Sequence, residues 1–359
     1  MRQTLATLTR EVTMKKGNKI KDVLNQLKAD TQMKDDFIVP LKSFDVLGTD
    51  GQYPNLLISK RIDSQSGIEL KMTDHSIGQL CHKLEIGTSY IRKCLPFQEL
   101  VTTNLNHWIE HTKNRNLMVR SKDDTARAIL SDRYKRIDNE LVANKTLSML
   151  IDMKAELKYC SYNGDQLNLT ATLPELNGEV KAGDLVTGGV TITNCEVGTS
   201  SLKVQPFVYR LVCTNGLVVP EYLGTFLAKH VGKKLETPDA DEQGTIVIER
   251  MLENMKALTD PKVFENILGD MRHAQAQHVH SNEIVKLAKT NSLSDWERAE
   301  IFTRLDKVYG DVFTTDRYAL GNAITNLANS DDVTDDRARF LQELGGTVMF
   351  WNTPVFARN

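Results

Sequence analysis

"SLKVQPFVYRLVCTNGLVV" occupies residues 201–219. Residues 201–213 read as one long strand. "TNG" at 214–216 then reads as a tight turn, because Asn and Gly accept the backbone angles a turn demands. Upstream, "LVTGGVTITN" (185–194) reads as another long strand, and "ELKYCSY" (156–162) and "QLNLTATL" (166–173) alternate on either side of an "NGD" turn. Downstream, from residue 221 on, 3.6-residue spacing takes over in "TIVIERMLENMKAL", "KVFENILGDM", "NEIVKLAKTN", "DWERAEIFTRLDKVYG", "DRYALGNAITNLANS" and "DDRARFLQELGG". Strands followed by a run of helices predict an α+β protein: a β-rich antiparallel core with flanking helices, then a helical C-terminal part.

Working back toward the start, "NKIKDVLNQLKA" (18–29) reads as an amphipathic helix, and "DDFIVPLKSFDVL", "NLLISKRI" and "GIELKM" as short strands. "TDHSIGQLCHKL" (73–84) opens on a Thr/Asp cap. "FQELVTTNLNHWIEHTKN" (97–114) carries the stripe Leu100, Val101, Leu105, Trp108 and Ile109. "NLMVRS", "KDDT" and "ARAILS" (116–131) read as a hairpin. The expected domains are an N-terminal α+β segment at 1–110, a β-rich core with a basic hairpin at 111–235, and a helical region at 236–359, with "ETPDADEQG" (236–244) as linker.

The chain has 359 residues, 40% hydrophobic and 26% charged, the balance of an ordinary globular protein. No apolar run approaches the ~20 residues that span a bilayer, and the first residues lack the apolar stretch of a signal peptide. A cytoplasmic protein of a bacterial host cell is expected, with no membrane partner. The five cysteines (Cys81, Cys94, Cys160, Cys195, Cys213) are far apart, and no C-x-x-C occurs. Net charge is −2, but residues 1–160 hold 26 Lys/Arg against 20 Asp/Glu, so the two halves differ in sign.

There is no phosphate loop, no G-x-G-x-x-G and no G-x-S-x-G, so nucleotide-driven chemistry has no support. "HWIEH" (107–111) fits the inverted zinc-protease pattern, with His107 and His111 one turn apart and Glu110 between them. A third, acidic ligand should stand on a later helix, and the following region reads as strands. Neither it nor His273, His278 and His280 forms a convincing ligand set, so no metal and no cofactor are expected.

The densest cationic stretch is "SDRYKRIDN" (131–139). Between residues 111 and 145 there are 9 Lys/Arg against 5 Asp/Glu. Arg115, Arg120, Lys122, Arg127, Arg133, Lys135 and Arg136 could neutralise phosphates, and Tyr134 could stack on a base or pack inward. Read as a strand, the stretch would put Arg133 and Lys135 on one face, with Tyr134 and Arg136 on the other.

"ARAILSDRYKRIDN", "TNCEVGTSSLKVQPFVYRLVCTNGLVV" and "LGNAITNLANS" together resemble the phage- and plasmid-encoded family called domain of unknown function 932. Ser131, Arg133, Tyr134, Asp138 and Asn139 match one block of that family, and Arg210, Val212, Cys213 and Asn215 match another. Cys195 departs from the serine expected before "EVG". The resemblance covers roughly residues 110–345 and implies a setting on mobile elements, similar to that of single-strand annealing proteins; it brings no catalytic residues. The resulting expectation is a cofactor-independent, non-enzymatic protein that binds single-stranded DNA in annealing, recombination or protection, as a homo-oligomer. Arg115, Arg120, Lys122, Arg127, Arg133, Tyr134, Lys135, Arg136 and Arg210 are its contact residues. The alternatives are a module that inhibits a host defence enzyme by binding it, and a zinc-dependent hydrolase.

Overall fold

The computed structural model describes residues 18–59, 67–211, 215–220, 223–230, 240–309 and 315–350. Helix α1 (Ile20–Gln32) is followed by β1 (Lys34–Pro40), β2 (Phe44–Leu47), β3 (Asn55–Ile58) and β4 (Ile68–Met72), then α2 (Asp74–Leu84), α3 (Thr88–Cys94) and α4 (Gln98–His111), and then the hairpin β5 (Asn116–Lys122) and β6 (Thr125–Ser131). All six strands form one sheet, ordered β1-β5-β6-β4-β3-β2. A domain boundary at 110/111 is therefore incorrect. It would cut this sheet between β1 and its antiparallel partner β5, and between β4 and its parallel partner β6. The hairpin is real, but it forms the middle of a sheet rather than a projecting basic arm.

Helices α2 to α4 cover this sheet through Ile77, Leu80, Val101, Leu105 and Ile109. The sequence predicts the start of α2 correctly: Thr73 accepts a hydrogen bond from the Ser76 N–H, and the Ser76 hydroxyl accepts one from the Thr73 N–H. The stripe expected on α4 is narrower than read. Val101, Leu105 and Ile109 are buried, whereas Leu100 and Trp108 face outward.

Helix α5 (Asn139–Asp152) leads into the second sheet, built from β7 (Glu156–Tyr162), β8 (Gln166–Glu179), β9 (Leu185–Cys195), β10 (Leu202–Arg210), β11 (Asn215–Val218) and β12 (Phe226–Ala228). The order is β11-β10-β9-β8-β7, and β12 shares the outer edge of β10 with β11. Asn215 and Gly216 belong to β11 rather than to a turn, since Arg210 pairs with Asn215 and Tyr209 with Gly216. Phe226–Ala228 is likewise a strand where helix was expected. Helix α6 (Ala240–Leu258) begins inside the expected linker; residues 231–239 lie outside the described residues. Together α1, α5, α6 and α7 (Pro261–Ala274) bury one face of this sheet, with Leu27, Leu147, Met251 and Leu268 packing with Leu169, Ala171 and Val204.

The two-stranded pair β13 (His278–Val279) and β14 (Thr315–Asp316) and helices α8 (Ser281–Thr290), α9 (Asp295–Arg304), α10 (Arg317–Leu327) and α11 (Asp335–Met349) make the C-terminal part, with a third core. The architecture is thus α+β with a helical end, as expected. Two helices meet at glycines: a Cβ at Gly321 would stand 2.9 Å from the Gly345 carbonyl oxygen, and one at Gly346 would run into the Val218 carbonyl of β11. Backbone cannot retreat as a flexible side chain can, so Gly346→Ala should cost at least ~3 kcal/mol, above the usual range for overpacking. A chemical denaturation curve checks this, and an unchanged midpoint would contradict the contact. At the end of α11, Val348, Met349 and Phe350 are buried within their own chain. Residues 351–359 lie outside the described residues.

Candidate functional site

"SDRYKRIDN" is a turn, not a strand. Ser131 ends β6, and the Tyr134 N–H closes the turn onto the Ser131 carbonyl at 2.9 Å. The turn brings Asp138 and Asn139 over the gap between the two sheets, where Glu196 waits fully buried at the end of β9. Glu196 accepts from the Asn139 N–H (2.8 Å) and from Arg127 (3.2 Å), and pairs with Lys34 Nζ (2.7 Å). Arg120 donates to Asp36 (2.8 Å), to Asp138 (2.6 Å) and to the Glu196 carbonyl (3.1 Å). Arg127 also reaches Asp165, Lys122 pairs with Asp30, and Arg136 stands 3.7 Å from Asp36.

Cations and carboxylates balance in this network, as burial requires. Burial works against the ionised Asp138, yet the Arg120 charge and hydrogen bond outweigh it and hold its carboxyl below the usual range. The charges therefore clamp one sheet to the other. Arg120, Lys122, Arg127 and Arg136 are spent on carboxylates, which corrects their assignment to phosphates.

Arg210 is corrected in the same way. It is buried, binds Asp184 through Nε (2.6 Å) and Nη2 (2.9 Å), and lies over the Tyr318 ring. Asn215 donates to Asn322 and Thr325 of α10. These residues fasten the helical part to the second sheet. Tyr134 is interior too, only 4% exposed, with its hydroxyl donating toward the Cys195 and Glu196 carbonyls and its ring stacked on His230 at 4.8 Å. It is not available to stack on a base.

A different set of cations remains open. Lys83 of α2, Arg115, Arg133 and Lys229 line one cleft of about 500 Å³, together with Ser131, Tyr134, the loop Gly198–Ser201 and His230. No carboxylate lines it, and none of the four cations has a carboxylate partner among the described residues. Burial and the neighbouring Arg115 charge hold the Lys83 amine below its usual value, as expected of like charges gathered without a counterion. Arg115 donates to the Lys83 carbonyl, which fixes the two together. Gly198 turns the loop at φ +81°, a conformation that favours glycine. Cys195 hydrogen-bonds the Thr199 hydroxyl at 2.9 Å, so the thiol does here what a serine could do.

Arg115 also lines a second cleft, of about 720 Å³, with Lys113, His111, Trp108 and Glu85. The two clefts share Arg115 and together form a track, with the exposed Trp108 indole lining its second part. On that helix the His107 and His111 rings stack at 4.2 Å, with His111 Nδ1 bonded to the His107 carbonyl. Among the described residues no three His, Cys, Asp or Glu side chains converge on a point that could hold a metal.

Of the predicted contact residues, then, Arg115 and Arg133 stand on the track, Tyr134 supports its wall from within, and Lys135 is half-buried beside it. Sequence reading missed Lys83, Lys229, His230 and Trp108 as members. Lys229 and His230 arrive through β12, whose pairing with β10 is not visible in local periodicity.

His230 carries a checkable consequence. Burial pulls its imidazole down to about 4, with the Lys135 carbonyl hydrogen bond opposing and the Arg120 charge assisting. The unfolded chain takes up that proton near 6.5. Between those values the unfolded state binds the proton and the fold does not. Stability should therefore fall as pH drops from 6.5 to 4, by ~3 kcal/mol in all, and stay level above 6.5. Urea midpoints at pH 7 and pH 4.5 measure it, and His230→Asn should remove most of the difference.

The domain-of-unknown-function model DUF932 matches residues 126–348, more than half of the chain. The chain belongs to the DUF932 family. The match begins within β6 and ends within α11, so it includes the Arg133, Gly198–Ser201 and Lys229–His230 parts of the cleft. Lys83 and Arg115 precede it. No curated protein and no solved structure matches the chain. Among the described residues no helix is long and apolar enough to cross a membrane.

Proposed function

We propose that this DUF932 protein binds single-stranded DNA along the track from Trp108 through Arg115 to Arg133 and Lys229, in annealing, recombination or protection on a phage or plasmid. The observation that carries this reading is the gathering of four cations without carboxylate partners around one cleft. Elsewhere in the same segment arginines are matched to acids. A groove of unneutralised cations attracts a phosphate backbone, and an exposed indole in its second part offers a stacking platform that any base can use. The hydroxyls of Thr199, Ser200 and Ser201 add neutral donors suited to phosphate oxygens. The mobile-element setting rests on the family resemblance.

The test is fluorescence anisotropy of a labelled oligonucleotide, single-stranded and duplex, across a salt series. Binding should weaken steeply with salt and favour the single strand. A chain that ignores single strands even at low salt would overturn the reading and leave protein binding as the better account.

A further inference from the structure

Two buried polar atoms in the cleft have no hydrogen-bond partner among the described residues: His230 Nε2 and Ser200 Oγ. Buried polar atoms in folded proteins are nearly always paired, so each orphan asks for an explanation. His230 is 4% exposed, and both residues line the cleft that the cations surround. The His230 ring is held in place twice. It stacks flat on Tyr134, with 5° between the planes, and its Nδ1 sits 3.1 Å from the Lys135 carbonyl. A carbonyl only accepts, so Nδ1 carries the ring proton. In the neutral imidazole that leaves Nε2 as a lone-pair acceptor with nothing to accept from.

An acceptor is the wrong group for a phosphate oxygen. Cations and hydroxyls suit phosphate, whereas Nε2 needs an N–H or O–H donor. A ligand satisfying both carries an anionic end and a donor-bearing end within one small molecule's length. A nucleotide unit has that form: a phosphate, and a base whose edge presents N–H groups. The cleft volume of about 500 Å³ falls within the range of small-molecule sites.

We propose that the His230 end of the cleft is a subsite for a single nucleotide, holding its phosphate on Lys83, Arg115, Arg133 and Lys229 and accepting a base N–H at His230 Nε2. This rests on the nucleic-acid reading above and adds recognition of a base to recognition of a backbone. Along a bound strand, one base would turn into the cleft while its neighbours stay outside.

Calorimetric titration of the full chain with dAMP, deoxyribose 5-phosphate and inorganic phosphate separates the parts. The nucleotide should bind at least ~5-fold tighter than either base-free phosphate, the size of one net hydrogen bond. His230→Asn keeps a donor toward the Lys135 carbonyl but loses the acceptor at Nε2, and should erase that preference while phosphate binding persists. His230→Gln places an amide oxygen near the Nε2 position and should retain part of it. Thermal melts of both variants confirm the fold, and if His230→Asn does not fold, the wild-type preference for nucleotide over base-free phosphate decides alone. Equal affinity for all three ligands, or a folded His230→Asn protein that still prefers dAMP, would overturn the subsite. Labelled single strands measured in parallel keep the two ideas apart. Strand binding without nucleotide preference sinks only the subsite; nucleotide preference without strand binding sinks only the single-strand reading.

Discussion

Glu196→Gln should lower the unfolding free energy by ~3–5 kcal/mol, the range for removing one partner of a buried charge pair. The introduced amide oxygen could still accept from the Asn139 N–H, but Lys34 would lose its carboxylate and Arg127 the buried one of its two, keeping only Asp165. For a domain of ordinary stability, ~5–15 kcal/mol, this is a large fraction of the whole. Guanidinium denaturation at neutral pH gives the number. The double variant Glu196→Gln/Arg127→Met should lose less than the sum of its parts, because the second change removes a buried charge that the first leaves with only Asp165 as partner. Strict additivity would show that the two side chains act independently, against the geometry.

Neutralising the cleft should have the larger effect on binding and little on folding. The variant K83Q/R115Q/R133Q/K229Q removes four cations, each expected to flatten the slope of log affinity against log salt by ~0.7 on single strands. Together that is a slope change of ~3 and a loss of ~10²–10³-fold near 0.1 M salt. None of the four is in an ion pair among the described residues, so the melting temperature should hold. Changing the exposed Lys21, Lys28, Lys256 and Lys262 to Gln alters the net charge equally and should leave most of the affinity. If both variants bind alike, the attraction is diffuse and the cleft is not its seat.

Strand and helix segments were largely legible because their signals are local. The β5–β6 hairpin could be read from two short runs on either side of the turn "KDDT", the Thr73 cap from its residue type, and the succession of helices from their spacing. The fate of each cation was not legible. Arg120 and Arg133 look alike in sequence, yet one meets Asp36, Asp138 and the Glu196 carbonyl while the other meets solvent. Two of those three partners lie 84 and 76 residues away. Tyr134 shows the same limit. Its aromatic ring fits a base or a core equally well, and the decision came from His230, which follows a strand that periodicity did not reveal. Trp108 fails in the opposite sense: helical spacing places it on the stripe with Leu105 and Ile109, and the helix turns it outward.

The clamp around Glu196 also sets an order of events during synthesis. The first sheet has all its strands once Ser131 has left the ribosome, but the carboxylate that seals Arg127 and Lys34 lies well downstream. At ~5–20 residues per second, the intervening chain takes several seconds to appear. Throughout that interval Lys34 and Arg127 stay hydrated and mutually repelling, while Arg120 and Lys122 already have Asp36 and Asp30 within reach. Lys34 and Arg127 discourage premature docking of the wrong apolar surface until Asp165 and then Glu196 arrive to meet them.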